Sequence, residues 1–282
     1  MRGIRFFYLS ITVFAVLAGT VLYSGAVSAE EPLQWETDLK KIKNPNTYGT
    51  VVMDKFTKDA KDTRPVVFPH WAHRGKYTCK ACHADLGIKM KRLATGIRQA
   101  DLEAGKYCAK CHNGTVAFGV SDCTRCHSYG LPVAENRTID AISGDLPKDF
   151  FGNKVDWAAA VRDGKIKPAA TPEGTGEMKQ LDLDVIIPAA KFTPHPPDVM
   201  FPHKTHTAVI DCATCHTAIF AEKKGGNPEM SMVRIMAGQY CGTCHAKVAF
   251  PLDDCFRCHS QPPPKVVEPP KEEPGTDKKD QK

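Results

Sequence analysis

The sequence predicts a mainly α chain with little regular secondary structure, folded as two small modules in tandem. Three observations carry that expectation. A segment containing cysteine and histidine recurs once along the chain, beginning at Phe68 and again at Phe201. Residues 30–67, ahead of the first copy, show no sustained periodicity. Each copy is also too short to bury a sufficient core of its own, so something besides side chains has to organise it.

The repeat is explicit. An offset of 133 carries Phe68, Pro69, His70 and His73 onto Phe201, Pro202, His203 and His206. The same offset carries Cys79, Cys82, His83, Gly105, Tyr107, Cys108 and Cys111 onto their counterparts. A one-residue deletion then moves Val116-Ala117-Phe118 onto Val248-Ala249-Phe250 at an offset of 132. Internal repetition of this kind defines one structural unit present twice.

In chain order, Arg2 and Arg5 precede an apolar run from Phe6 to Tyr23 that ends in Val27-Ser28-Ala29. This is the pattern of a signal peptide over residues 1–29, and an uncleaved membrane anchor is the alternative reading. Residues 30–67 form a polar N-terminal extension with a turn at Asn44-Pro45-Asn46, and residues 68–130 form module 1. Residues 131–194, free of Cys and His, form a connector. In it, Asp156 caps a short helix beginning at Trp157, closed by Gly164 with Pro168 beyond. Residues 195–260 form module 2, and the Pro-rich charged stretch 261–282 reads as a disordered tail.

All twelve cysteines fall into six Cys-x-x-Cys pairs, and each pair is followed at once by histidine. The pairs are Cys79/Cys82 with His83, Cys108/Cys111 with His112, and Cys123/Cys126 with His127. In the second copy they are Cys212/Cys215 with His216, Cys241/Cys244 with His245, and Cys255/Cys258 with His259. An exported chain with many cysteines first suggests disulfides, but this spacing is the attachment sequence of c-type haem. Zinc would not require a histidine after every pair, and a thioredoxin-like pair would occur once. The expectation is six covalent haems c, each with the adjoining histidine as proximal iron ligand.

The formal charge of +6 falls to +4 once Arg2 and Arg5 are removed. Two propionates on each of six haems would add about −6 when oxidised and about −12 when reduced. The basic sequence is therefore no sign of a nucleic-acid partner.

Of eleven histidines, six are proximal, leaving His70, His73, His195, His203 and His206. Six haems cannot all take a second histidine from within one chain. His70/His73 and His203/His206 are three residues apart, so a helical turn puts both rings of a pair on one face. Placed just before a haem pair, they are expected as distal ligands to two neighbouring irons. His195, between two prolines, is either a ligand or an exposed loop residue.

The combination of Phe-Pro-His-x-x-His, Cys-x-x-Cys-His, a Gly-containing stretch before the second Cys-x-x-Cys-His, Ala-Phe, and a final Cys-x-x-Cys-His resembles the c7-type triheme cytochromes of the cytochrome c3 family. The resemblance covers about 68–128 and 201–260. It implies a pairing in which His70 caps the haem on Cys79/Cys82 and His73 the haem on Cys108/Cys111. By the same resemblance, His203 caps the haem on Cys212/Cys215 and His206 that on Cys241/Cys244. The chain departs from the smallest relatives, which carry a further histidine just before the second motif. Some tandem-module relatives use methionine on the third haem instead. Met232 stands where they carry it and Met90 is the nearest candidate in the first module, with packing against porphyrin as the alternative role of both. Phe68, Phe118, Tyr107, Phe201, Phe250 and Tyr240 are expected against haem faces, and the many Lys and Arg are expected in solvent or beside propionates.

The function these readings imply is single-electron relay between respiratory redox partners outside the cytoplasm. Partners would be other cytochromes, quinol-oxidising complexes or outer-membrane conduits. Two alternatives remain open: a multihaem reductase with an exchangeable site at the third haem of a module, and a subunit of a cytochrome filament or membrane conduit. No nucleotide-binding loop or nucleophile–base pair suggests other chemistry.

Overall fold

A computed structural model describes residues 45–57, 62–134, 137–189, 196–216, 218–245 and 247–261. The expected signal peptide, most of the disordered tail and His195 lie outside the described residues.

Regular structure is sparse and comes in pieces of three to six residues. Each module opens on a strand that delivers its paired histidines. Strand β1 (Thr50–Met53) pairs antiparallel with β2 (Val66–Pro69), in the register Thr50 with Pro69. The chain then turns directly into helix α1 (His70–Arg74), with Pro69 at its N-cap. Pro69 is itself extended there, at φ -84° and ψ 109°, so it ends the strand and the helix begins only at His70. The second copy repeats the device. Strand β3 (Asp184–Ile187) pairs with β4 (Asp198–Pro202), in the register Asp184 with Pro202. Pro202 then caps the helix His203–Thr207.

The repeat therefore includes a strand upstream of each Phe-Pro-His that the sequence reading did not contain. β1 lies in the extension and β3 in the connector, so both segments contribute to the modules they precede. Each module also closes back on its opening strand. In the second, β5 (His259–Gln261) pairs with β4. In the first, Tyr129 donates its N–H to Pro65 O at 3.3 Å, and Arg64 donates to Tyr129 O at 3.0 Å.

Between strand and closure, each Cys-x-x-Cys segment runs through a short helical turn, Ala81–Asp85, Tyr107–Lys110 and Cys123–Cys126 in module 1, then Cys212–Cys215, Tyr240–Thr243 and Cys255–Cys258 in module 2; the turns at Cys123, Cys212 and Cys255 hold both cysteines of their pair. Tyr107 and Tyr240, each one residue before a cysteine, both hold φ of +50°. A non-glycine residue rarely adopts that conformation, and its recurrence at equivalent positions marks it as part of the unit.

The connector holds the expected helix, Trp157–Arg162, with Asp156 accepting from Ala159 N at 2.9 Å. Gly164 follows at φ +67°. Where one helix was expected there are two. Ile139–Ser143 is also helical, capped by Thr138, which accepts from Ala141 N. Its apolar content is short and locally unremarkable, and it is fixed by packing. Ile139, Trp71 and Val155 form the buried cluster, with Ala72, Leu146 and Trp157 against it. The polar groups beneath are paired. Asn153 donates to Pro45 O at 2.7 Å and Tyr48 O at 2.8 Å. Asn46 accepts from Ile139 N through its side chain and from Trp71 Nε1 through its backbone. The connector and the extension thus form a common core with module 1.

Candidate haem-binding sites

All twelve cysteines are free thiols, none paired with another. Thiols already pre-positioned in pairs along short helical turns, with no disulfide competing for them, suit thioether attachment.

The histidines share a second feature. In every described case Nδ1 donates to a backbone carbonyl. The distal candidates donate as follows: His70 to Gly49 O at 2.9 Å, His73 to Pro69 O at 3.0 Å, His203 to Leu183 O at 3.1 Å and His206 to Pro202 O at 2.8 Å. The proximal candidates do likewise: His83 to Ile88 O at 2.5 Å, His112 to Phe118 O at 3.1 Å, His127 to Arg64 O at 2.6 Å, His216 to Phe220 O at 3.1 Å, His245 to Phe250 O at 3.1 Å and His259 to Pro197 O at 2.7 Å. A carbonyl only accepts, so the proton is on Nδ1 and Nε2 keeps its lone pair. That is the tautomer a metal requires, with ring orientation fixed from behind. Burial reinforces it, pulling His70 and His245 down to about 4 against the opposing effect of their carbonyl partners. Burial likewise lowers His73, His83, His112 and His206.

Three pairs of rings face one another. His70 and His83 have ring centres 6.4 Å apart, His73 and His112 6.1 Å, and His206 and His245 6.3 Å. Two imidazoles on opposite sides of one iron, each through a metal–nitrogen bond of about 2 Å, leave their centres roughly 6 Å apart. The residues present therefore fit haem with two histidine ligands at three positions. The corresponding pair His203 and His216 is not in ring contact among the described residues. Further atoms fit a bound group: Thr78 Oγ1, beside Cys79, and Trp157 Nε1 are buried without a protein partner. A cavity of about 330 Å³ lies beside Cys241, lined by Ala218, Ile219, Gly238, Gln239, Tyr240 and Thr243.

The phenylalanines take up definite places beside the histidines. They pack against imidazole rings. Phe68 stacks on His73 with centres 4.4 Å apart, and Phe201 on His206 at 4.3 Å. Phe118 and Phe250 each lie 4.2 Å from His112 and His245. Tyr240 lies 5.9 Å from Phe220. Not all the arginines are in open solvent, since Arg125 covers Phe118 at 4.0 Å and Arg257 covers Phe250 at 4.7 Å. Both modules thus contain the same row: arginine, phenylalanine, proximal histidine, distal histidine, phenylalanine. The arrangement follows from the strand–helix junction, which sets the Phe of Phe-Pro-His-x-x-His beside the second histidine of the motif.

No second histidine faces His127 or His259 among the described residues. Met90 lies half-buried in a bend, and Met232 begins the helix Met232–Met236 with 47% of its surface exposed. The carbonyls holding His127 and His259 belong to Arg64 and Pro197, which occupy equivalent places in the repeat at the offset of 133. Sequence reasoning missed these partners because a backbone carbonyl carries no side-chain signature. Only the repeat offset, extended upstream of Phe68, could have pointed to them.

A family model described as "Cytochrome c7 and related cytochrome c" matches residues 66–128 and 199–260. Two solved structures align with the chain at 25% identity, described as the C-terminal and N-terminal hexaheme fragments of GSU1996. Each alignment covers 75% of this chain, and they cover 96% and 98% of those chains, with TM-scores of 0.24 and 0.22. No curated protein sequence matches.

Proposed function

From a chain that carries two tandem c7-type triheme cytochrome modules, and with them six covalent haems c, we propose a periplasmic relay that passes single electrons between respiratory redox partners. The proposed iron ligands are His83, His112, His127, His216, His245 and His259 on the proximal side. On the distal side they are His70, His73, His203 and His206, paired in the order given by the resemblance. The observation that carries this reading is the set of facing rings 6.1–6.4 Å apart, each held from behind through Nδ1. Six-coordinate irons in rigid settings exchange electrons without gaining or losing ligands. The chain's own carbonyls orient the rings that would hold the iron.

Export through the segment 1–29 is part of the proposal, because haem c forms on an exported chain. The mature protein should begin at Glu30 on N-terminal sequencing. No helix among the described residues is long and apolar enough to cross a membrane. The test of the relay is a paramagnetic count of the purified protein. Four low-spin haems with two histidine ligands are expected, and fewer than four would overturn the ligand assignment.

A reductase is the second reading, favoured by the absence of a facing histidine at His127 and His259 among the described residues. Addition of carbon monoxide or nitrite to the reduced protein separates the two. Tight binding at one of these haems with turnover would replace the relay reading, and unchanged spectra would support it.

A further inference from the structure

We propose that the modules meet through the first haem of module 1. The electron exchanged between modules then crosses at a seam clasped by Tyr48 and Arg74, and the haems of His127 and His259 are the two ends of the array. This rests on the relay reading and its ligand pairing.

The backbone carries the argument. Lys80, inside the first Cys-x-x-Cys, donates its N–H to Val209 O at 3.3 Å. Val209 leads directly into the attachment turn of Cys212 and Cys215. Two attachment segments from different modules are therefore hydrogen-bonded neighbours, and the groups anchored on them start from adjacent places. Arg74, one residue after His73, donates to Val248 O at 2.7 Å, and its guanidinium covers Trp157 at 4.8 Å. The Tyr48 hydroxyl donates to Ala249 O. Gly49, whose carbonyl holds His70, runs so close to module 2 that a Cβ on it would lie 3.8 Å from Val248 Cα and 3.9 Å from His70 Cβ. The distal side of the first site and the backbone following His245 thus share one wall.

Order within each module follows from the helical turn, which sets the first and second sites side by side. The third site lies beyond the second in both copies. Arg125, inside the third attachment turn, covers Phe118, which lies 4.2 Å from His112, and Arg257 likewise covers Phe250 beside His245. The sequence of sites is then His127, His112, His83, the seam, His216 with His245, and His259. In the crossing, one iron goes from ferrous to ferric and the other from ferric to ferrous. No bond forms or breaks and no proton moves. Arg74 keeps its charge throughout, since a guanidinium does not deprotonate in proteins. A fixed cation at the seam favours the reduced form of the nearest haem.

The test uses the fully reduced holoprotein and nuclear Overhauser contacts between haem substituents. Contacts are expected between the haem on Cys79/Cys82 and a haem on Cys212/Cys215 or Cys241/Cys244. Inter-module contacts made only by the haem of His127, or none, would overturn the proposal. Contacts between the haems on Cys79/Cys82 and Cys108/Cys111 act as the internal control. If these are present while the inter-module set is missing, only the seam proposal falls. If they are also missing, the ligand pairing falls with it.

For Arg74→Gln, the reduced-to-oxidised ratio of the haem on Cys79/Cys82 at a fixed potential should drop about tenfold. The haem of His127 should be unaffected. An equal shift at every haem would remove Arg74 from the role. Tyr48→Phe, which loses one hydroxyl and no charge, should leave that ratio unchanged.

Discussion

A histidine that serves an iron has one nitrogen left over, and here each described histidine gives it to the backbone. The carbonyl fixes which nitrogen bears the proton and which way the ring points, so main-chain geometry preforms the ligand set proposed above. His206→Ala tests this directly. It should convert the haem on Cys241/Cys244 from low to high spin while leaving the haem on Cys212/Cys215 low spin, read by electron paramagnetic resonance. The facing ring of His245 at 6.3 Å, not that of His216, is what dictates the outcome. The rows flanking these rings make a second prediction. Phe250→Leu removes the face shared by His245 and Arg257, and should cost about 1–2 kcal/mol in denaturant unfolding. Asp149 supplies a third. Burial alone would raise its carboxyl, but two hydrogen bonds from Arg257, at 2.8 and 3.0 Å, and the Phe151 N–H hold it below the ordinary carboxylate value. A depressed folded-state value means the contribution is complete above about pH 4 and is lost as pH falls through that folded value. Asp149→Asn should cost about 1–3 kcal/mol at pH 7, and the variant and the parent should converge in strong acid.

At the level of elements, the six attachment turns were legible in the sequence and the strands were not. Cys-x-x-Cys-His names its chemistry in five residues. Thr50–Met53 and Val66–Pro69 are four-residue strands with every residue half-buried, so no alternation marks them. Val66–Pro69 recurs almost unchanged as Val199–Pro202, but the strands that pair with these two, Thr50–Met53 and Asp184–Ile187, lie in what read as linkers. The turn of His70 and His73 was legible because spacing alone places two rings on one face. The ligands of the third haems were not, since Met90 and Met232 have no matching partner in the other repeat. Glycine usage gives an element-scale prediction. Gly242, between Cys241 and Cys244, lies under the helix Met232–Met236. A Cβ there would clash with the backbone of Ile235. Gly242→Ala should lower stability by about 1–3 kcal/mol through that overlap, measured by thermal unfolding of the holoprotein. The equivalent position in module 1 is already Ala109, packed against the same kind of turn.

For the whole molecule, the side-chain core is small for the length of chain, with Trp71, Ile139 and Val155 at its centre. Covalent macrocycles make up the difference, as small domains need some added staple. Changing Cys241 and Cys244 together to Ser should therefore strip amide-exchange protection from residues 199–260, while the cluster around Trp71 retains it longer. The tandem arrangement was readable from the 133-residue offset, but the way the copies join was not. The joining contacts link residues far apart in sequence, such as Arg257 with Asp149 and Arg74 with Val248. Such pairings have no local pattern to betray them.

The Tyr48 clasp has a consequence for the order in which the protein matures. Its acceptor, Ala249, is 201 residues further along the chain. A chain emerging N-terminus first has the opening strand of module 1 in hand long before the residue that locks it. The clasp can close only after the middle turn of module 2 has formed around Cys241 and Cys244. On the proposed export route, closure waits until residues up to Ala249 have crossed, and a molecule lacking the haem on Cys241/Cys244 is expected to be cut sooner near Tyr48 in limited proteolysis.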